Sequence, residues 1–353
     1  MQKEGDILDL LRAESAEVAR KSQRALIIQP GAIGDCILTL PLAAFMKEAL
    51  QLGGVNILGH TEYLGVFPGR TCIDSVSSID LIDLHRLFTE SKTFNLDDRD
   101  PLIRIFSGYS WVASFMGDPE GDFEQNLIFT TNCSHNTEVI TLSLKPPEDF
   151  SEHLSSFYIN QFIEQSGLNS ENTHNVSTDN LLKATKTDIM KGKQFLKETG
   201  INPEKKICVI QPGSGATNKC WHIDNFIAIA QELKTKEIKV IFLLGPVELE
   251  KFSQTKIKKL SSTADCFTDL PFSEVLGLLC CAEMYIGNDS GITHLAASLG
   301  IKTYAVFGPT NPVIYKPLGL NVKIFKDNSA NFAKKPSIKE QQKLLAQFND
   351  DIG

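Results

Sequence analysis

The stretch Ala25-Leu-Ile-Ile-Gln-Pro-Gly31 returns almost unchanged as Ile207-Cys-Val-Ile-Gln-Pro-Gly213. In each copy an apolar run of strand length is broken by Pro-Gly and is followed by the pattern of an amphipathic helix. A strand that ends in a glycine turn and leads into a helix is typical of a nucleotide-binding α/β unit, because backbone N–H groups and the helix dipole meet there. The two copies, about 180 residues apart, predict two Rossmann-like, doubly wound parallel-sheet domains that face a central cleft.

Length and composition agree with two globular α/β domains. At 353 residues the chain exceeds the size at which one hydrophobic core keeps growing. Its 42% hydrophobic and 22% charged residues exclude a disordered or collagen-like chain, and its apolar runs are far shorter than the roughly 20 residues of a membrane span. Residues 1–23 lack the apolar core of a secretory signal. We therefore expect a cytoplasmic protein, with at most peripheral contact at the inner face of the cytoplasmic membrane.

The eight cysteines are scattered, without a CxxC pair or the spacing of a zinc site. No cluster of Asp, Glu or His stands at metal-ligand spacing, and the second half has no DxD sequence. We therefore expect reduced thiols that act as small core side chains, and neither a bound metal nor a cofactor.

The net charge of −8 is unevenly divided along the chain. Residues 24–175 carry 8 Lys and Arg against 20 Asp and Glu, a net −12, whereas residues 176–353 carry 23 against 18, a net +5. The second half is therefore better suited to phosphate groups. The acidic first half argues against nucleic acid as a partner, because duplex binding depends on basic patches.

Strand and helix patterns alternate through both halves and predict parallel sheets covered on both faces. The predicted strands span residues 25–29, 55–58, 74–79, 111–116, 138–144, 206–211, 239–244, 284–286 and 302–307, with one near 265. The predicted helices span residues 34–50, 151–166, 186–199, 223–233, 247–260, 272–281, 290–299 and 337–348, with a short one near 61. Residues 84–100 are expected to be irregular, and the polar segment 167–179 predicts a linker. The expected division is an extension (1–23), two domains (24–175 and 176–330) and a tail with a helix (331–353).

Ligands of open parallel sheets bind beyond the carboxyl ends of the strands, so the residues that follow each strand are the candidates. After the first strand, Pro30-Gly-Ala-Ile-Gly-Asp35 places a carboxylate at the first turn of a helix. The simpler interpretation is an acid that only complements the helix dipole.

The loop after the matching strand of the second half is Pro212-Gly-Ser-Gly-Ala-Thr-Asn-Lys219. Gly213 and Gly215 allow close backbone approach, Ser214 adds a hydroxyl, and Lys219 adds a charge suited to a diphosphate. The spacing is that of neither a Walker loop nor a GxGxxG dinucleotide motif. The alternative is a solvated lysine in a polar loop.

Two further segments follow strands of the second half. Gly245-Pro-Val-Glu248 puts a carboxylate at a helix start, where it holds a ribose diol or only caps the helix. In Gly287-Asn-Asp-Ser-Gly-Ile-Thr-His294, an acid, a hydroxyl and a glycine lie at a helix N-terminus, and the histidine follows on the same face. A lone histidine is more often structural, but this combination favours a binding site.

These segments, with Leu40-Pro-Leu42, Trp221 and Phe307-Gly-Pro-Thr-Asn-Pro312, resemble glycosyltransferase family 9, the ADP-heptose lipopolysaccharide heptosyltransferases. Order and spacing match over about residues 24–320. The resemblance implies the GT-B fold, with an acceptor domain followed by a nucleotide-sugar donor domain.

The resemblance also implies the roles of individual residues. Asp35 is implied to be the general base of an inverting transfer, in an acceptor-side loop with Gly31 and Gly34. The implied donor-binding residues are Ser214, Gly215 and Lys219 at the diphosphate, Glu248 at the ribose, Leu270 beside adenine, and Asp289, Ser290, Gly291 and His294 at the diphosphate and donor sugar. The implied reaction moves a heptosyl or related unit from an ADP-sugar co-substrate, with ADP-heptose as the implied donor, to a lipopolysaccharide core, other glycan or glycolipid.

The acceptor side departs from the family pattern. Members commonly carry an acid and a downstream Arg-Ser after a strand that here reads Trp111-Val-Ala-Ser-Phe-Met-Gly117, and this chain has Ser114 there. The acidic first half also matches a heavily phosphorylated lipid core poorly. Two other functions stay open: a catalytically silent nucleotide-sugar-binding protein, and a sugar-nucleotide epimerase or dehydrogenase, which needs a dinucleotide motif that neither Pro-Gly loop provides.

Overall fold

The computed structural model describes residues 23–168 and 178–352, with side chains up to Phe348. These residues form two compact units. The first comprises residues 23–150 and 154–168, and the second comprises Ser151–His153 and residues 178–352. The predicted extension, apart from Gln23, and most of the predicted linker lie outside the described residues.

The first unit is built around a five-stranded sheet. Its strands are β1 (Arg24–Ile28), β2 (Gly54–Gly59), β3 (Ser75–Ser78), β4 (Trp111–Ser114) and β5 (Glu138–Thr141). They pair in parallel in the order β3-β2-β1-β4-β5. The helices are α1 (Ile33–Ala49), α2 (Thr61–Leu64), α3 (Pro101–Phe106), α4 (Asp122–Asn132) and α5 (Leu154–Ser166), with short 3-10 helices at Ile79–Leu81 and Leu84–Phe88.

The second unit repeats this order with one strand more. Its strands are β6 (Ile207–Gln211), β7 (Lys239–Leu244), β8 (Asp265–Thr268), β9 (Met284–Asn288), β10 (Lys302–Phe307) and β11 (Val322–Lys326), all parallel in the order β11-β10-β9-β6-β7-β8. The helices are α6 (Lys186–Glu198), α7 (Ile223–Thr235), α8 (Pro246–Lys251), α9 (Gln254–Ser261), α10 (Phe272–Cys280), α11 (Gly291–Ser298), α12 (Pro312–Tyr315) and α13 (Ile338–Ile352), with a 3-10 helix at Thr217–Lys219.

The repeated phrase forms the first strand of each unit, and that strand lies inside its sheet. Residues 25–28 of β1 are at most 2% exposed, and residues 207–210 of β6 are fully buried. Strands buried on both faces are continuous apolar runs rather than alternating ones, which is why the two phrases look alike. Each fully buried Leu, Ile or Val contributes about 1.5–3 kcal/mol of hydrophobic stabilisation. The strand order changes direction beside β1 and β6, where doubly wound sheets bind their ligands.

Most predicted elements are confirmed within four residues at each end, and five differ. Helices α3, α4 and α12 and strand β11 were not predicted. The single helix predicted at 247–260 is two helices, because Phe252 is extended and the Ser253 hydroxyl caps α9 at the Lys256 N–H. The doubly wound parallel α/β class is confirmed for both units.

The last helix, α13, completes the core of the second unit. Leu344 and Phe348 are fully buried, and the Phe348 ring meets the Tyr304 ring of β10 at a centroid distance of 4.2 Å. Among the described residues, no helix has the length and apolar character needed to cross a membrane. None of the eight cysteines, all of which lie in the described part of the chain, forms a disulfide bond.

A glycine pair sets the distance between α6 and α10. A Cβ added at Gly192 would lie 2.0 Å from the Gly277 carbonyl oxygen and 2.8 Å from Cys281 Sγ. We expect Gly192→Ala to separate the helices and to lower the free energy of unfolding by about 1–3 kcal/mol, the usual cost of overpacking. The urea midpoint followed by circular dichroism measures this. Gly108→Ala, where an added Cβ meets nothing within 4 Å, is the control, and equal midpoints for the two variants would contradict the prediction.

Candidate functional site

Asp35 lies in the first turn of α1, where its carboxylate closes the turn. Asp35 Oδ2 accepts a hydrogen bond of 3.1 Å from the Ala32 N–H, and the side chain is half-buried. The Gln29 Oε1 holds the loop by accepting the Gly31 N–H at 2.9 Å, and the Tyr63 hydroxyl donates to the Gly31 carbonyl at 2.8 Å. Gly34 is the second residue of α1. The capping contact of the simpler interpretation is therefore present, and the carboxylate stands at the carboxyl edge of the first sheet.

A cluster of one histidine and two acidic side chains, which the sequence spacing did not predict, lies at the same carboxyl edge of the first sheet. His60 follows β2, and its Nδ1 is 3.1 Å from Asp80 Oδ2, which follows β3. The ligand atoms of His60, Glu62 and Asp80 all lie within 4.8 Å of one another. These side chains are half-buried or exposed, and such groups are common on protein surfaces without a metal. The parallel strands β2 and β3 bring together residues that are twenty positions apart in the chain.

The candidate donor residues of the second unit gather at the ends of β6 and β9. The Ser214 hydroxyl donates to the Asp289 carbonyl at 2.7 Å, and Lys219 Nζ is 2.9 Å from Asp289 Oδ2. Gly215 is exposed, and its carbonyl accepts a hydrogen bond from Lys251 Nζ. The loop after β6 and the loop after β9 are thus joined by side chains that the sequence had singled out.

Asn288, which was not among the predicted site residues, joins the same two loops from below the surface. It is fully buried, and its Nδ2 donates to the carbonyls of Pro212 and Gly213 at 2.8 and 3.2 Å. Its Oδ1 accepts the Trp221 N–H at 2.8 Å. An asparagine at the end of an otherwise apolar strand was the available signal.

Gln211 is a second buried carboxamide that the sequence analysis missed. Its Oε1 accepts the hydroxyls of Tyr285 and Ser290, both at 3.1 Å, and its Nε2 donates to Glu248 Oε1 at 3.2 Å. Ser290 also caps α11 by accepting the Thr293 N–H. Gln211, at the end of β6, therefore holds the Ser290 cap and with it the N-terminus of α11, which begins at Gly291.

Glu248 lies at the base of the site rather than on its surface. The side chain is 2% exposed, and Oε2 accepts the Gly245 N–H at 2.8 Å. Burial raises the pKa of this carboxyl, and the hydrogen bonds from Gly245 and Gln211 oppose that shift. A Cβ added at Gly213 would lie 1.9 Å from Glu248 Oε1, so this glycine makes room for the carboxylate. The capping contact of the simpler interpretation is therefore present, and the ribose role stays a prediction.

Asp289 lies between a cation and an imidazole. Its carboxylate is 8% exposed, bonded to Lys219 on one side and 3.9 Å from His294 Nε2 on the other. Burial by itself raises the pKa of the Asp289 carboxyl. The opposing effects of His294 and Lys219 are larger, so the pKa falls to about 2. His294 is 4% exposed, and its Nδ1 has no partner among the described residues, as expected of a group that bonds to water or to a ligand.

The structure brings together Ser214, Gly215, Lys219, Glu248, Asp289, Ser290, Gly291 and His294 by direct contact or adjacency in the second unit. Leu270 is half-buried after β8, at the same carboxyl edge but in a separate turn. The N–H groups at the start of α11 and the Lys219 ammonium together offer a place where a diphosphate is stabilised.

The Asp289 carboxylate predicts how stability changes with pH. Because its pKa is lowered to about 2, its contribution is present above the unfolded-state pKa of about 3.9 and is lost as the pH falls towards 2. We expect the free energy of unfolding of the wild type to exceed that of Asp289→Asn by a constant amount of about 2 kcal/mol from about pH 7 to 5. Below about pH 4 we expect a smaller difference. Urea unfolding at each pH measures the difference.

The control for this prediction is Asp224→Asn, which removes an ion pair with Lys259 that is 33–51% exposed. Exposed pairs contribute about 0–1 kcal/mol, so this variant should stay close to the wild type. A difference for Asp289→Asn that does not change between about pH 5 and 3 would show that the carboxylate is not held ionised by its neighbours.

Comparison with known proteins gives the family. Residues 158–346 match the model of "Glycosyltransferase family 9 (heptosyltransferase)". Lipopolysaccharide heptosyltransferase 3 of Escherichia coli is 24% identical over 305 residues, covering 82% of this chain and 84% of that protein. Lipopolysaccharide heptosyltransferase 1 of Campylobacter coli is 22% identical over 309 residues, covering 80% of this chain and 83% of that protein.

Two solved structures share the fold. A family 9 glycosyl transferase from Veillonella parvula DSM 2008 has a TM-score of 0.67 at 16% identity, covering 93% of this chain and 96% of that chain. ADP-heptose lps heptosyltransferase II of E. coli has a TM-score of 0.67 at 12% identity, covering 94% of this chain and all of that chain. The predicted GT-B fold is confirmed, and the epimerase or dehydrogenase alternative is set aside. Since the family model matches more than half of its residues, this chain belongs to glycosyltransferase family 9 and is a glycosyltransferase.

Proposed function

We propose that the protein transfers a heptosyl or closely related unit from an ADP-sugar to a lipopolysaccharide core or other glycan acceptor, with inversion and with Asp35 as the general base. The observation that carries this proposal is the partly buried contact of Lys219 with Asp289 just before α11, in a chain of this family. The relatives named above are lipopolysaccharide heptosyltransferases, which supports heptose as the sugar.

The second unit supports binding of a nucleotide diphosphate. The leaving diphosphate gains negative charge as the glycosidic bond breaks, and fixed positive charge near it lowers that barrier. Lys219 and the N–H groups at the start of α11 supply such charge without reorganisation, because Asp289 and Gln211 already hold them. We propose that no metal and no cofactor takes part, and that the ADP-sugar is a co-substrate.

The first unit supports proton removal from the acceptor. In the proposed step, Asp35 takes the proton of the acceptor hydroxyl while the hydroxyl oxygen bonds to the anomeric carbon and the bond to the diphosphate breaks. The Ala32 N–H and the loop fixed by Gln29 hold the carboxylate in place. We further propose a cytoplasmic location, with membrane contact limited to a peripheral encounter with a glycolipid acceptor.

Replacing Asp35 tests the proposed base. We expect Asp35→Asn to reduce kcat by about 10²–10⁴, the usual contribution of general base catalysis, while binding of the ADP-sugar is retained. Initial rates and calorimetric titration with ADP-heptose measure the two effects. The control is Glu62→Gln, which removes a nearby exposed carboxylate. Unchanged turnover in Asp35→Asn would remove this residue from the mechanism, and a wild type that binds donor without transfer would show a catalytically silent protein.

A panel of ADP-, GDP- and UDP-sugars tests the proposed donor. A ligand that binds only the folded state raises the melting temperature, by the equivalent of about 2.7 kcal/mol at 100 times its Kd. We expect this rise with ADP-sugars, undiminished by EDTA, because no metal takes part in the proposal. A rise confined to GDP- or UDP-sugars would overturn the ADP assignment, and loss of the ADP-sugar response in EDTA would contradict metal independence.

A further inference from the structure

Gln211, the last residue of β6, contacts two different parts of the proposed donor site. Its side chain is 7% exposed. Nε2 donates to the Glu248 carboxylate at 3.2 Å, whereas Oε1 accepts the Ser290 hydroxyl at 3.1 Å. Glu248 is the predicted ribose residue, and Ser290 caps the helix whose N-terminus is the predicted diphosphate position. One buried carboxamide therefore joins two parts of the site that would hold the same nucleotide.

The hydrogen bonds around Gln211 are directed towards Glu248. The buried Tyr285 hydroxyl also donates to Gln211 Oε1, at 3.1 Å, so the amide oxygen accepts two hydroxyl groups. Thr293, which lies beside these hydroxyls, donates its own proton to the Asn288 carbonyl. Donors to an amide oxygen polarise the amide and strengthen its N–H as a donor in turn. The Gln211 amide is thereby held with its N–H group towards the carboxylate.

The contacts of Glu248 are those of an ionised carboxylate. Oε1 accepts the Gln211 amide and Oε2 accepts the Gly245 N–H at 2.8 Å, so both oxygens act as acceptors. The side chain is nevertheless 2% exposed, and burial raises the pKa of this carboxyl. Each donated hydrogen bond opposes the effect of burial by stabilising the charged form. The charged form is the one that can accept both hydroxyls of a ribose, because protonation turns one oxygen into a donor.

The other groups that interact electrostatically with Glu248 give it weaker support. They include Lys251 of the same helix, Cys220 and Tyr285. Burial raises the pKa of the Cys220 thiol and of the Tyr285 hydroxyl, so both are neutral at about pH 7. Lys251 is exposed, and water weakens its attraction for the carboxylate. The charge of Glu248 therefore depends strongly on the buried amide of Gln211.

We propose that Gln211 is a positioning residue of the transfer reaction, which keeps Glu248 in the ionised form that accepts the ribose hydroxyls of the donor. The proposal rests on the donor site of the proposed function. Because the same amide holds Ser290, it also fixes the carboxylate relative to the N-terminus of α11. Loss of the amide weakens the donor most at low pH, where Glu248 takes up a proton.

Calorimetric titration of the full chain with ADP between about pH 6 and 8.5 tests this role. Gln211→Met keeps the approximate volume of the side chain and removes its hydrogen-bonding groups. Affinities are taken as ratios to the wild type, so that the ionisation of ADP itself cancels. We expect the loss of affinity in Gln211→Met to be about tenfold greater at pH 6 than at pH 8.5. In Gln211→Met/Glu248→Gln the loss should not change with pH, because the titrating carboxyl is gone.

Gln29→Met is the matched control. Gln29 is the corresponding carboxamide of the first unit, is fully buried, and bonds to the Gly31 N–H and the Thr39 hydroxyl rather than to a carboxylate. Its substitution removes buried hydrogen bonds of the same kind, and we expect its ADP affinity to follow the wild type at every pH. Tyr285→Phe is a milder variant that keeps the amide but removes one of the hydroxyls that polarise it. We expect it to show the pH trend of Gln211→Met to a smaller extent.

The free energy of unfolding tests the charge of Glu248 without a ligand. An acid whose pKa is raised in the folded state loses stability as the pH rises towards that pKa. Between about pH 6 and 8, Gln211→Met should therefore lose stability relative to Gln211→Met/Glu248→Gln. Over the same range the wild type should stay at a constant difference from Glu248→Gln, because its carboxylate is already ionised.

A Gln211 side chain with a merely structural role would weaken ADP by the same factor at every pH, and this result overturns the proposal. Unchanged ADP affinity in Gln211→Met, or a pH trend that persists in Gln211→Met/Glu248→Gln, overturns it as well. A wild type that does not bind ADP contradicts the proposed donor, whereas the unfolding measurement still tests the charge of Glu248. The two proposals therefore fail separately.

Discussion

The donor-binding edge of the second unit depends on two buried carboxamides, Gln211 and Asn288. One ends β6 and the other ends β9, and together they bond to two loop carbonyls, the Trp221 N–H, the Glu248 carboxylate and the Ser290 hydroxyl. Each such bond contributes only about 0.5–1.5 kcal/mol net, but losing one partner leaves a buried polar group that costs about 1–3 kcal/mol. The loops are therefore fixed by groups that are expensive to leave unpaired, and Lys219 and α11 keep their positions without help from a ligand.

The two units share a fold but present opposite chemistry at the same edge. Gln29 holds its own Pro-Gly loop by accepting the Gly31 N–H, whereas Gln211 accepts the hydroxyl of Ser290 in the loop after β9. Beyond the glutamine the first unit places Asp35, whereas the second places Lys219. The net charge is −12 over residues 24–175 and +5 over residues 176–353, and the residues that follow β1 and β6 differ in charge in the same direction.

Much of this architecture could be predicted because central parallel strands leave a plain signal. β6, β7 and β9 each contain a plain apolar run, and the loops that follow these three strands carry the residues that meet in the second unit. Helix α4 left a weaker signal, because one of its inward-facing residues is Asn126, which bonds to the carbonyls of Leu87 and Thr89 rather than packing as an apolar side chain. β11 has two lysines among its five residues and lies at the sheet edge, so it lacks the apolar run that identified the others.

The partners of the site residues were harder to predict than the residues themselves. Gln211 bonds to side chains 74 and 79 positions away, and Asn288 reaches back 67 positions to Trp221. No local pattern specifies such pairs, since they arise only when the sheet places β6 beside β9. The same argument applies to His60 and Asp80 in the first unit, which meet because β2 and β3 are neighbours.

The position of α13 limits how far the protein can be shortened. Although this helix follows the last strand in the chain, its Phe348 fills the space over Tyr304, and the Asn225 side chain of α7 accepts the N–H of Ser337, which leads into it. A polypeptide released before residue 338 would leave that aromatic surface open to water. The second unit can therefore complete its hydrophobic core only once residue 348 has been synthesised.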